Sequence, residues 1–164
     1  MNKYSIEIKW AIYFIAMSLG WMLLEKWVGL HSTHIDKHMY LTNLFAIPAV
    51  VVMVMALKEK KKLFYDGKMS YKRGLICGLI ISLMIALFSP LTQWIISYVI
   101  TPEYFPNVIE HSLKTGYYKS RAEAEAFFSY NNYAVQSVVA SIVMGMSTTA
   151  IAMIFLRTKP NSTS

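Results

Sequence analysis

Four polar side chains stand inside otherwise apolar stretches, and with them this chain could do chemistry: Glu25, Asn43, Gln93 and Gln136. A polar group in hydrocarbon is costly unless it has a partner or a purpose. If the stretches are helices rising about 1.5 Å per residue, each group lies within roughly 10 Å of the same end. Three carboxamides and one carboxylate could then converge on one pocket, Glu25 supplying charge and the carboxamides orienting a small polar solute or cation. The competing explanation, and the commoner one in bundles, is interhelical hydrogen-bond glue worth on the order of 0.6 kcal/mol per bond.

Just beyond Glu25 comes His31-Ser-Thr-His34-Ile-Asp36-Lys-His38. On a helix, His31, His34 and His38 share one face. Three imidazoles so placed could hold Zn²⁺ with an open fourth position. The spacing matches no metal signature, no cysteine joins it, and a loop with locally bonded histidines is the simpler expectation. No metal or cofactor is therefore expected. His111 is the other histidine that could join. The single cysteine, Cys77, sits in an apolar block and reads as a small buried hydrophobe. HExxH, GxSxG, P-loop and CxxC patterns are all missing. No charged pair stands mid-block, where a proton relay would need one. The chain leans away from being an enzyme.

The elements that must position these groups are four apolar blocks. The 164 residues are 55% hydrophobic, with mean hydropathy +0.40. The blocks run Trp10–Leu24, Tyr40–Leu57, Gly74–Ile100 and Tyr133–Leu156. The first is short for the roughly 20 residues a bilayer demands. Ile6, Ile8, Trp27 and Val28 extend it if Lys9 and Lys26 snorkel. A signal peptide competes for this segment, but no small-x-small cleavage site follows. The fold class expected is all-α: an integral membrane bundle of four transmembrane helices, one domain over 1–157. Residues 158–164 make a short tail expected to be disordered. Its Asn161-Ser-Thr glycosylation acceptor is irrelevant in the cytoplasm.

The net charge of +7 could suggest nucleic acid, but the basic residues cluster where membrane proteins keep their orientation signals. With the amino terminus inside, Lys3, Lys9, seven residues of Lys58–Arg73, Arg157 and Lys159 are internal. Only Lys26, Lys37, Lys114, Lys119 and Arg121 are external. Both termini are therefore placed in the cytoplasm, and nucleic acid is excluded as a partner. Trp21, Trp27, Tyr40, Trp94, Tyr98, Tyr130 and Tyr133 mark the outer boundary, and Tyr4, Trp10, Phe64, Tyr65 and Phe155 the inner one.

Two short helices are expected in the outer loop between the third and fourth spans. One runs from Pro106 to Lys114 with Gly116 as its stop, and one starts near Arg121 behind a Ser120-x-x-Glu123 capping box. Pro48 and Pro90 interrupt spans two and three, freeing the carbonyls of Leu44 and Ala86; Asn43 and Ser89 are close enough in sequence to help satisfy them. Broken helices occur in transporters, while simple kinks are commoner. Ser137, Ser141, Gly145 and Thr149, with Gly74-x3-Gly78, form small-residue seams for close helix approach, either within the chain or in a homo-oligomer.

Several stretches together carry a resemblance: Trp21-Met-Leu-Leu-Glu25, Thr42-Asn43-Leu-Phe-Ala-Ile-Pro48, Ser89-Pro90-Leu-Thr-Gln93, Tyr104-Phe-Pro-Asn-Val-Ile109 and Ala122-Glu-Ala-Glu-Ala-Phe-Phe128. The sequence resembles the bacterial membrane proteins grouped as domain-of-unknown-function family 4199, over nearly its whole length. The resemblance implies a four-helix protein of the inner membrane and supplies no activity, substrate or catalytic residue. The leading expectation is a structural or interaction protein of the bacterial inner membrane, with the lipid bilayer and a second copy as partners. The alternative is a small transporter or solute-binding protein with an outward-facing polar pocket. A zinc-dependent membrane enzyme ranks last.

Overall fold

The computed structural model describes residues 3–158. Four helical stretches are long and apolar enough to cross a membrane: Ser5–Trp27, Ile35–Phe64, Tyr71–Ile100 and Tyr130–Leu156. Among the described residues there is no strand. We label the helices α1 (Ser5–Trp27), α2 (Ile35–Leu41), α3 (Ala46–Phe64), α4 (Tyr71–Ile95), α5 (Tyr104–Lys114), α6 (Arg121–Phe127) and α7 (Tyr130–Leu156).

The two prolines behave differently. Pro48 stands in the first turn of α3, where a missing N–H is no loss. The irregularity lies just before it: Thr42–Phe45 tightens to a 3₁₀ turn that joins α2 to α3. The second span therefore starts at Ile35 rather than Tyr40. Pro90 is inside α4, which then widens to a π turn over Ile96–Ile100. The side chains expected to satisfy the freed carbonyls do not reach them. Asn43 Nδ2 donates to Met39 O at 2.7 Å and Ser89 Oγ to Ile85 O at 2.9 Å. Each side chain bonds instead to the carbonyl four residues behind it, one of the backbone acceptors open to a short polar side chain on a helix.

Around the bundle the long helices follow the order α1, α3, α7, α4. The most extensive contact is between α4 and α7, which run antiparallel. Gly74 lies against Met153, Gly78 against Thr149, and Ser82 against Gly145. Ser89 Oγ is 3.0 Å from Ser141 Oγ. The small residues of both helices thus fill one seam inside the chain, bringing two backbones close as small-xxx-small patterns do.

The packed core sits at the end that carries the chain termini. Ile6, Trp10 and Ala11 of α1 meet Met53, Ala56 and Leu57 of α3, Cys77 and Ile81 of α4, and Met153 of α7. Cys77 is buried, as expected of it. Thr158 is tied to the α3–α4 hairpin, its N–H donating to Met69 O at 2.9 Å and its Oγ1 accepting from Met69 N at 3.0 Å. It is thus held rather than loose; the rest of the expected tail, with Asn161, lies outside the described residues.

At the opposite end, α5 and α6 connect α4 to α7. Gly116, at φ +72°, closes α5, and Ser120 Oγ accepts from Glu123 N at 3.2 Å to start α6. Ser129 caps α7 in the same way, accepting from Asn132 N, so α7 begins three residues before Tyr133.

Candidate functional site

The helices that pack tightly at one end leave a cavity of about 380 Å³ nearer the other. Phe14, Ile15, Phe45, Met53 and Ile85 give it apolar walls; Ser18, Asn43, Ser89, Gln93, Ser137 and Ser141 give it hydroxyl and carboxamide groups. Among the described residues no charged side chain lines it. Voids of this size are rare in a close-packed interior, whereas ligand pockets of roughly 300–1,000 Å³ with mostly apolar walls and a few polar groups are usual. Asn43, Ala46 and Val50 on one rim are exposed, as are Ala140 and Met144 on the other. The cavity thus opens sideways, between α3 with its 3₁₀ turn and α7.

Only two of the four polar residues expected to converge line this cavity, Asn43 and Gln93. Gln93 Nε2 donates to Ser97 Oγ at 3.0 Å. Gln136 is exposed and outside the lining. It neighbours Ser137, and a step of one residue turns a helix by about 100°, which carries it off the face that Ser137 and Ser141 share. Glu25 is also absent from the cavity. A single four-residue pocket is therefore not what the fold builds.

Glu25 instead belongs to a second cluster, made by the way α1 ends. Gly29, at φ +78°, takes the left-handed conformation. Its N–H donates to Lys26 O at 3.0 Å, and Leu30 N–H donates to Glu25 O at 2.9 Å. This is the Schellman arrangement, which satisfies the last carbonyls of a helix and reverses the chain. Residues 28–34 are turns rather than helix, so His31 is carried back beneath Glu25. His31 Nε2 lies 3.1 Å from Glu25 Oε2, and His38 Nε2, from α2, lies 3.5 Å from the same oxygen. Trp21 Nε1, one turn earlier on α1, donates to Glu25 Oε1 at 2.6 Å.

The cluster is dry. Glu25 is 1% exposed and His31 2%. Tyr104 of α5 covers it, with ring centroids 5.2 Å from His31 and 4.9 Å from His38. Asn107 Nδ2 holds the His31 carbonyl at 2.9 Å. Burial, and then the neighbouring Tyr133, push the Tyr104 phenol far above its ordinary value. His34 faces away, with its Nδ1 3.1 Å from Thr33 Oγ1 in an exposed position. The trio expected on one helical face is thus replaced by Glu25, His31 and His38, because the segment is a turn up to His34. His111 is not among the residues that could share an ion with it.

A pair that sequence reasoning did not single out lies at the other end. Lys60 Nζ and Glu7 are buried together, 2.8 Å apart. Lys60 looked like one more member of the Lys58–Arg73 charge run, and only the apolar residues around Glu7, Ile6 and Trp10 on the same helix, signal that this acid is drawn into the core.

No curated protein and no solved structure matches the chain. The family model described as "Protein of unknown function (DUF4199)" matches residues 9–158, and the chain belongs to that family.

Proposed function

We propose that this is a multi-pass protein of the bacterial inner membrane, with both termini cytoplasmic, that holds a neutral amphipathic small molecule in its lateral cavity. The orientation rests on the basic residues of the α3–α4 hairpin and the chain ends. The binding reading rests on one observation, a cavity of about 380 Å³ that has carboxamides and hydroxyls but no charge. A charged solute would have no counter-ion there, and burying an unpaired charge is prohibitive. The sideways opening faces acyl chains when the helices span a bilayer, so the ligand enters from lipid. Asn43 and Gln93 orient its polar end; Phe14, Phe45 and Met53 pack its apolar body. This narrows the solute-binding alternative. The interaction reading rests on the absence of reaction motifs and on the small-residue seams; packing of Gly74, Gly78 and Gly145 between α4 and α7 removes the support of the seams.

Native mass spectrometry of the protein extracted in mild detergent tests the proposal. The wild type is expected to carry a discrete neutral adduct that Ala49→Phe, which fills the cavity, abolishes. The same adducts on both forms would overturn it.

A further inference from the structure

We propose that Glu25, His31 and His38 form a Zn²⁺ site that staples the turn after α1, and the start of α2, to the end of α1. One ligand atom from each of the three residues lies within 4.8 Å of the others. Ligand atoms about 2.1 Å from a tetrahedral ion stand roughly 3.4 Å apart. The two separations from Glu25 Oε2, 3.1 Å to His31 and 3.5 Å to His38, bracket that value. Two imidazoles and a carboxylate are a donor set that zinc accepts, leaving a fourth position for water.

Charge points the same way. Among the described residues the partners of the buried Glu25 side chain are Trp21, His31, His38 and the Thr42 hydroxyl, none of them a lysine or arginine. The adjacent Lys26 is turned elsewhere, donating to Ile100 O at 2.5 Å and standing 3.8 Å from Glu103. A buried carboxylate without a fixed cation is a place for a bound one. His31 is committed to the cluster, since among the described residues its buried Nδ1 has no hydrogen-bond partner and its side-chain hydrogen bond is to Glu25. The outer shell is present as well. Trp21 holds the second Glu25 oxygen, as the partners of metal-ligating carboxylates do. The site is distinct from the cavity, whose lining shares none of these three residues.

The test uses full-length protein in detergent, stripped with chelator, reloaded with zinc alone and dialysed. One zinc per chain by elemental analysis is expected, with a rise in the thermal midpoint. His38→Ala and Glu25→Gln are each expected to lose at least about tenfold in affinity, and Trp21→Phe about 10- to 100-fold, the range for an outer-shell partner. His34→Ala and His111→Ala are expected to bind as the wild type does. Cobalt in place of zinc gives a second readout: a tetrahedral visible spectrum in the wild type that His38→Ala loses, a substitution at a partly exposed position that leaves the core intact. Substoichiometric zinc, zinc retained undiminished by His38→Ala and Glu25→Gln, or zinc lost with His34→Ala would overturn the site.

Discussion

Lys60 Nζ lies 2.8 Å from one oxygen of the Glu7 carboxylate and 2.9 Å from the other, and both side chains are buried. The same ammonium donates to Lys3 O at 2.6 Å and sits 3.9 Å from the Phe64 ring centroid. The start of α1 and the end of α3 are thereby locked by one desolvated charge pair. Such a pair is weak evidence of net stability, because desolvation offsets the attraction; removing only one partner is what hurts.

Glu7→Gln is accordingly expected to destabilise the protein by about 3–5 kcal/mol, the usual cost of stranding a buried charge. The double variant Glu7→Leu with Lys60→Met removes both charges and is expected to cost less than Glu7→Gln alone. Thermal unfolding in one detergent compares the three, and a larger loss in the double variant would contradict the pairing.

The α4–α7 seam makes a prediction of opposite signs for one chemical change. Gly20, exposed on α1, has open space where a Cβ would go. Gly20→Ala should gain up to about 1 kcal/mol from helix propensity. Gly78→Ala would drive its Cβ into Thr149 and should lose about 1–3 kcal/mol by overpacking. Thr149→Ala should recover part of that loss. Thermal midpoints of the set decide it.

Tyr104 gives a pH dependence with a definite sign. Burial, then Tyr133, holds its phenol far above the ordinary value in the folded state. The unfolded chain ionises this group near about 10. Its contribution is therefore complete below that pH and falls as pH rises beyond it, since the unfolded state then binds fewer protons. The thermal midpoint of the wild type is expected to drop more steeply above that point than that of Tyr104→Phe. Parallel curves would contradict the assignment.

Not every ion pair matters. Arg121 pairs with Glu110 and lies 3.7 Å from Glu125, with all three side chains more than half exposed. These acids push the guanidinium above its ordinary value, Glu110 first. Solvent screens exposed pairs, so Arg121→Ala is expected to leave the thermal midpoint unchanged.

The four long helices were legible because hydrocarbon demands runs of apolar residues, and such runs show in any sequence. The α4–α7 seam was legible as a stripe of small residues, though not which helix would fill it. The cluster at the end of α1 was half legible. Glu25, His31 and His38 each stood out, but Glu25 was grouped with carboxamides and His31 with His34. Helical spacing was assumed through residues that the left-handed Gly29 turns back on themselves. Glu7 and Lys60 were hidden because 53 positions separate them and because Lys60 lies among surface lysines. Pairings across a bundle depend on how helices rotate about their own axes, and a stretch apolar on every side carries no stripe to fix that rotation.

Everything about ligand entry and orientation presupposes that the α3–α4 hairpin and the α5–α6 segment lie on opposite sides of a membrane. Single cysteines at Lys68 and Thr115, both exposed, can be probed in intact cells with a membrane-impermeant maleimide; native Cys77 is buried and only 2% exposed. Thr115→Cys is expected to label in intact cells and Lys68→Cys only after lysis. Labelling of Lys68→Cys in intact cells, or equal labelling at both positions, would contradict the assignment.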